Sequence, residues 1–155
     1  MKSTLCLVLT WAALVLGAGA LPGAVKLPPH FSDHMVLQRE MKVPIWGAAD
    51  AGESVSVEFA GQKQTVTADA DGKWRIDLGP MAASAESRTL VITGTKTAEP
   101  VKFDDVLVGE VWLCSGQSNM DFTVAKTEKY YFAGVNNEAQ EVAAANYPKI
   151  RMFTG

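Results

Sequence analysis

From Ala24 to about Asp104, apolar and polar positions alternate with period two. Ser54-Val55-Ser56-Val57-Glu58-Phe59 alternates strictly, Trp74, Ile76 and Leu78 are separated by Arg75 and Asp77, and Arg88–Thr93 is a short strand centred on Leu90-Val91-Ile92. Turn-forming clusters lie between them at Asp50-Ala51-Gly52, Ala60-Gly61-Gln62, Asp69-Ala70-Asp71-Gly72 and Thr93-Gly94. Short strands spaced by about ten residues predict an antiparallel β-sandwich over residues 24–104. Trp74 falls on the apolar side of its strand and is expected in the core. Trp46 and Trp74 have a rival reading as exposed platforms for sugar stacking.

Beyond Asp105 the pattern changes. Val106-Leu107-Val108-Gly109-Glu110-Val111-Trp112-Leu113 is almost continuously apolar, as expected of a strand buried on both faces of a parallel sheet. A loop of small polar residues follows. Asn136-Asn137 offers a helix N-cap, Glu138–Ala145 is rich in helix formers, and Pro148 ends the helix before a short strand at Lys149–Phe153. Strand, helix and strand would open an α/β unit over residues 105–155, so the expected fold class is mixed, a β-sandwich followed by the first β-α-β of an α/β domain.

The N-terminus reads as a cleavable leader. Lys2 precedes an apolar stretch from Leu5 to Leu16, and Ala18-Gly19-Ala20 offers small residues for cleavage after Ala20, so residues 1–20 are expected to direct the chain to a secreted or periplasmic location. The stretch is shorter than the roughly 20 residues a span needs, which argues against a stable membrane anchor. The chain has 155 residues with 17 Asp and Glu against 14 Lys and Arg. That acidic balance, without clustered Lys and Arg, argues against a nucleic-acid partner. Cys6 would leave with the leader, so Cys114 has no partner for a disulfide within the mature chain and is expected as a small buried hydrophobe.

Candidate chemistry lies in the loop leaving the apolar run, Cys114-Ser115-Gly116-Gln117-Ser118-Asn119-Met120. Ligands and catalytic groups in open α/β sheets gather at the carboxyl ends of strands, which is where Ser118 falls. A serine becomes a nucleophile when a base takes its proton and donors hold the oxyanion. Gly116, Gln117 and Asn119 would shape the loop, with Gly116 supplying a sharp turn. Gly-x-Ser alone is a weak signal, and Ser118-x-x-Asp121 also fits a helix cap. Met120 replaces the last glycine of the Gly-x-Ser-x-Gly elbow, which argues against an ordinary α/β-hydrolase.

Three blocks carry a resemblance. Gly109-Glu110-Val111-Trp112-Leu113-Cys114-Ser115-Gly116-Gln117-Ser118-Asn119-Met120 resembles the first sequence block of the sialate O-acetylesterase family, a branch of the SGNH (GDSL-like) hydrolases. Phe31-Ser32-Asp33-His34-Met35-Val36-Leu37-Gln38-Arg39, followed by Val43-Pro44-Ile45-Trp46-Gly47, resembles the opening of that family's N-terminal β-domain. Ala143–Phe153 is similar to the strand after the first block. The resemblance implies a three-layer SGNH-type domain and an esterase that removes O-acetyl groups from sialic acids or related acetylated sugars. It implies Ser118 as nucleophile and backbone oxyanion donor, a histidine as base, and an aspartate orienting the histidine. It implies no cofactor and no metal. The family's Asp-x-x-His block, and the glycine and asparagine that complete its oxyanion hole, belong to later blocks that this sequence lacks. No histidine follows Ser118.

The chain is therefore expected to be an N-terminal fragment whose partner is the remainder of the catalytic domain, inactive on esters alone. Within the enzyme class, an acetylxylan or other carbohydrate acetylesterase is the alternative. Outside it stand a non-enzymic glycan-binding sandwich and an interface module. His30 and His34 are the chain's two histidines, and Asp33 adjoins His34. Their i, i+4 spacing matches a helical metal pair, but Pro28-Pro29 and the strand-like Met35-Val36-Leu37 deny them a helix, so neither a metal site nor a substitute triad is expected there.

Overall fold

The structure, a computed structural model, describes residues 24–125, 128 and 134–153. The expected leader, residues 1–20, lies outside the described residues. Seven strands form: β1 (Val36–Gln38), β2 (Val43–Ala48), β3 (Ser54–Phe59), β4 (Gln62–Thr67), β5 (Lys73–Leu78), β6 (Ser84–Gly94) and β7 (Val101–Gly109). A 3₁₀ turn at Ser118–Asp121 and a helix, α1 (Glu138–Ala144), follow. Five strands pair in the order β1-β7-β6-β3-β4, and β2 pairs with β5. The strand pairings are antiparallel except β1 with β7. The result is a mostly antiparallel β domain followed by a short helix.

The period-two pattern explains the core. Val55, Val57 and Phe59 of β3, Trp74, Ile76 and Leu78 of β5, and Leu90 and Ile92 of β6 point inward and join Ile45 of β2 and Val106 and Val108 of β7 in one apolar cluster. The two sheets thus bury one shared core, each inward side chain contributing about 1.5–3 kcal/mol of apolar burial. Ala60 and Gly61 both take left-handed φ, 49° and 77°, as a two-residue hairpin between β3 and β4 requires. Asp69 Oδ1 accepts hydrogen bonds from the Asp71 and Lys73 amides and starts β5. Gly47 admits the neighbouring chain: a Cβ there would lie 2.1 Å from the Lys26 carbonyl oxygen, where Lys26 bridges to Ala48.

Residues 105–155 depart from expectation. The apolar run is not one strand of a parallel sheet. Its first part, Val106-Leu107-Val108, is the buried end of β7, hydrogen-bonded to β1 on one side and β6 on the other. The strand ends at Gly109, and Val111, Trp112 and Leu113 lie exposed, the last two at 82% and 95%. The boundary placed between residues 104 and 105 therefore falls inside β7, and the sheet is left at Gly109. Lys149–Phe153 is not a strand: Pro148 and Lys149 turn, the Ile150 amide bonds the Tyr147 carbonyl, and Ile150, Met152 and Phe153 are exposed with no neighbouring strand among the described residues. α1 forms as the helix formers require, but it buries no residue. Asn137 precedes it in a left-handed conformation without a side-chain cap. The described structure thus contains no β-α-β unit.

Candidate functional site

Ser118 opens the 3₁₀ turn that closes when the Met120 amide bonds the Gln117 carbonyl at 2.9 Å. Gln117 is the residue before the turn and gives no side-chain cap. Gly116, Gln117, Ser118 and Asn119 are all exposed. Gly116 does not take positive φ; a Cβ at this position would meet Met120 Cγ at 3.1 Å, so the glycine makes room for the Met120 side chain. Among the described residues no hydrogen bond reaches the Ser118 hydroxyl, and neither histidine is paired with it. Cys114 is an exposed free thiol, not a buried hydrophobe, because the segment after Gly109 leaves the sheet and none of the described residues covers it.

The structure brings together a cluster that sequence reasoning missed. Between Arg88 and Leu90 on β6 lie two steps, and between their partners Phe103 and Val106 on β7 lie three, so β7 carries one extra residue. That bulge holds Asp105 at φ 54° and turns its carboxylate to His34, itself at φ 65°. His34 Nδ1 donates to Asp105 Oδ2 at 2.7 Å, and Arg151 Nη2 pairs with the same oxygen at 2.8 Å. Arg151 Nη1 also donates to the His34 carbonyl at 3.3 Å. The Asp105 carboxyl is held well below the usual carboxylate range, first by the His34 bond and then by Arg151 and Ser87, with burial opposing. The sequence neighbour, Asp33, instead accepts the Asp104 amide at 2.7 Å. The Asp104-Asp105 doublet interrupting an apolar strand is the one signal that could have exposed the bulge.

Trp74 is buried in the core, as its strand position predicts, with Nε1 unpartnered among the described residues. Trp46 is 38% exposed and packs edge-on against Phe31 and obliquely against His30, both at 5.0 Å between ring centres. It borders an open groove of about 480 Å³ lined also by Pro44, Asp69, Lys73 and Arg75. Among the described residues no three His, Cys, Asp or Glu side chains gather to hold a metal ion.

No family model matches the chain. It is 33% identical over 157 residues to sialate O-acetylesterase of Homo sapiens, covering 93% of this chain and 27% of that protein. To the sialate O-acetylesterase of Rattus norvegicus it is 30% identical over 159 residues, covering 97% and 27%. Among solved structures, a novel carbohydrate acetylesterase from Xanthomonas citri matches with TM-score 0.67 at 35% identity, over 81% of this chain and 26% of that one. The chain is thus a distant relative of sialate O-acetylesterases and shares its fold with part of a carbohydrate acetylesterase. It spans about a quarter of the length of the relatives it matches.

Proposed function

We propose that this chain carries the nucleophile of a carbohydrate acetylesterase-type serine hydrolase, with Ser118 as the attacking residue. The observation that carries the reading is the similarity to acetylesterases across the block that contains Ser118. In this reading the Ser118 oxygen attacks the acetyl carbonyl carbon, its proton passes to a histidine base, and the sugar hydroxyl departs with that proton. Water then releases acetate from the acyl-serine. The Ser118 backbone N–H is one oxyanion donor.

The base is not in the described structure. His34 is committed to Asp105 and His30 packs obliquely against Trp46, so in this reading a histidine and an aspartate from further polypeptide meet Ser118. That requirement fits the exposed apolar side chains among the described residues beyond 110, such as Trp112, Leu113, Ile150 and Met152, which need a covering layer. O-acetylated sugar is the substrate class, and sialic acid is the narrower choice within it. The leader directs the chain to a secreted or periplasmic location, where such substrates occur. Residues 24–109 form the β domain, and residues 110–155 begin the hydrolase domain.

The test replaces the matching quarter of the Xanthomonas citri acetylesterase with this chain and follows acetate release from acetylated sugars. Ser118→Ala should lower kcat by about 10⁴-fold or more, as loss of a nucleophile does. Equal turnover by the variant would remove the assignment. A second reading has its own observation: the groove beside Trp46 suits a sugar ring, and Trp46→Ala would abolish glycan binding if the β domain is the binding module.

A further inference from the structure

The block Phe31–Arg39 takes no part in the proposed serine chemistry, yet four of its polar side chains bind the second half of β7 and the two residues that follow it. Asp33 Oδ1 accepts the Asp104 amide at 2.7 Å, and His34 holds the bulged Asp105 at 2.7 Å. Gln38 grips the next turn of chain from both ends of its amide: Oε1 accepts the Val111 amide at 2.8 Å, and Nε2 donates to Glu110 Oε2 at 3.1 Å. Arg39 pairs with the other oxygen of Glu110 at 2.7 Å. From the far side, Arg151 reaches back to Asp105 and, over 100 residues away in sequence, to the His34 carbonyl. The parallel pairing of β1 with β7, Val36 to Leu107 and Gln38 to Gly109, sets these groups in register.

We infer that Asp33–Arg39 is a latch, with Asp105 as its hub, that fixes the direction of the arm carrying Ser118 and ties Arg151 to the β domain. Its purpose rests on the esterase reading: Ser118 is seven residues beyond the gripped Val111 amide, and a nucleophile must be held within a fraction of an ångström of its productive place. The contacts themselves do not depend on that reading. They lie outside the apolar core, on exposed or half-buried side chains, so they set the position of the arm without holding the two sheets together. Gln38, Arg39 and Arg151 are therefore positioning residues.

Amide hydrogen exchange in the full chain tests the latch. Gln38→Ala should speed exchange at Val111 by at least about tenfold, and Arg151→Ala should do so at Ile150, whose amide bonds the Tyr147 carbonyl, while Val57 and Leu90 in the core stay unchanged. Arg151→Lys keeps the charge opposite Asp105 and should restore part of the protection. Unchanged exchange at Val111 in Gln38→Ala would overturn the latch. So would parallel loss of protection at Val57 and Leu90, because Gln38 would then belong to the domain's stability and not to a separable clamp. Exchange is read without turnover, so a silent Ser118 leaves the latch standing and a failed latch leaves the esterase reading untouched.

Discussion

At the residue scale Gly94 is tightly constrained, because its missing side chain makes room for a buried carboxylate. Glu53 is fully buried; its Oε1 accepts the Lys96 amide and the Thr97 hydroxyl, and its Oε2 accepts the Asp50 amide. A Cβ on Gly94 would sit 2.2 Å from Glu53 Oε1 and 2.7 Å from Val25 Cγ2. Gly94→Ala should therefore destabilise the domain by about 1–3 kcal/mol in denaturant unfolding. Burial alone would raise the Glu53 carboxyl, but the three hydrogen bonds and the Lys96 charge outweigh it and hold it below the ordinary 4.5. A lowered carboxylate stabilises the fold above its unfolded value, and that contribution is lost as pH falls through the folded one. The melting temperature should thus drop below about pH 4.5, and Glu53→Gln, less stable at pH 7 by about 1–3 kcal/mol, should flatten that drop. None of this is legible in sequence, where Glu53 is one acidic residue after a turn. Its partners Lys96 and Thr97 lie more than 40 residues away.

At the element scale the strands that alternate strictly are the ones that sequence reading finds. β3 and β5 bury every second side chain, and the pattern states this directly. β4, Gln62–Thr67, is polar and largely exposed at the sheet edge, so it carries no apolar period to read. β7 misleads for a different reason: its apolar end is buried by β1 and β6, and the equally apolar Val111-Trp112-Leu113 beyond Gly109 is not. A run of apolar residues reports a need for cover, not its presence. Thermal or chemical unfolding should separate the two kinds of element. Ile92→Ala, in the core, should cost about 2–5 kcal/mol. Val142→Ala in α1, which buries nothing, should change stability by less than about 0.5 kcal/mol.

At the scale of the whole molecule the chain joins a packed β domain to an exposed segment. Residues 24–109 hold the shared core, and the described residues from 110 onward touch it mainly through the Gln38, Arg39 and Arg151 contacts. Limited proteolysis followed by mass spectrometry should cut first at exposed Trp112, Leu113, Tyr147 or Phe153 and leave a resistant core ending near residue 110. The β architecture was legible because period-two patterning and turn residues act locally. The candidate nucleophile was legible because a twelve-residue block is specific; its surroundings were not, because the cluster at Asp105 is assembled by a bulge and long-range pairing. Covalent trapping decides the central claim most directly. The chimaera with the Xanthomonas citri acetylesterase is treated with a serine-reactive organophosphonate, digested and mapped by mass spectrometry. The account predicts one adduct, on Ser118, that abolishes acetate release; an adduct on another serine, or full inactivation with Ser118 unmodified, would contradict it.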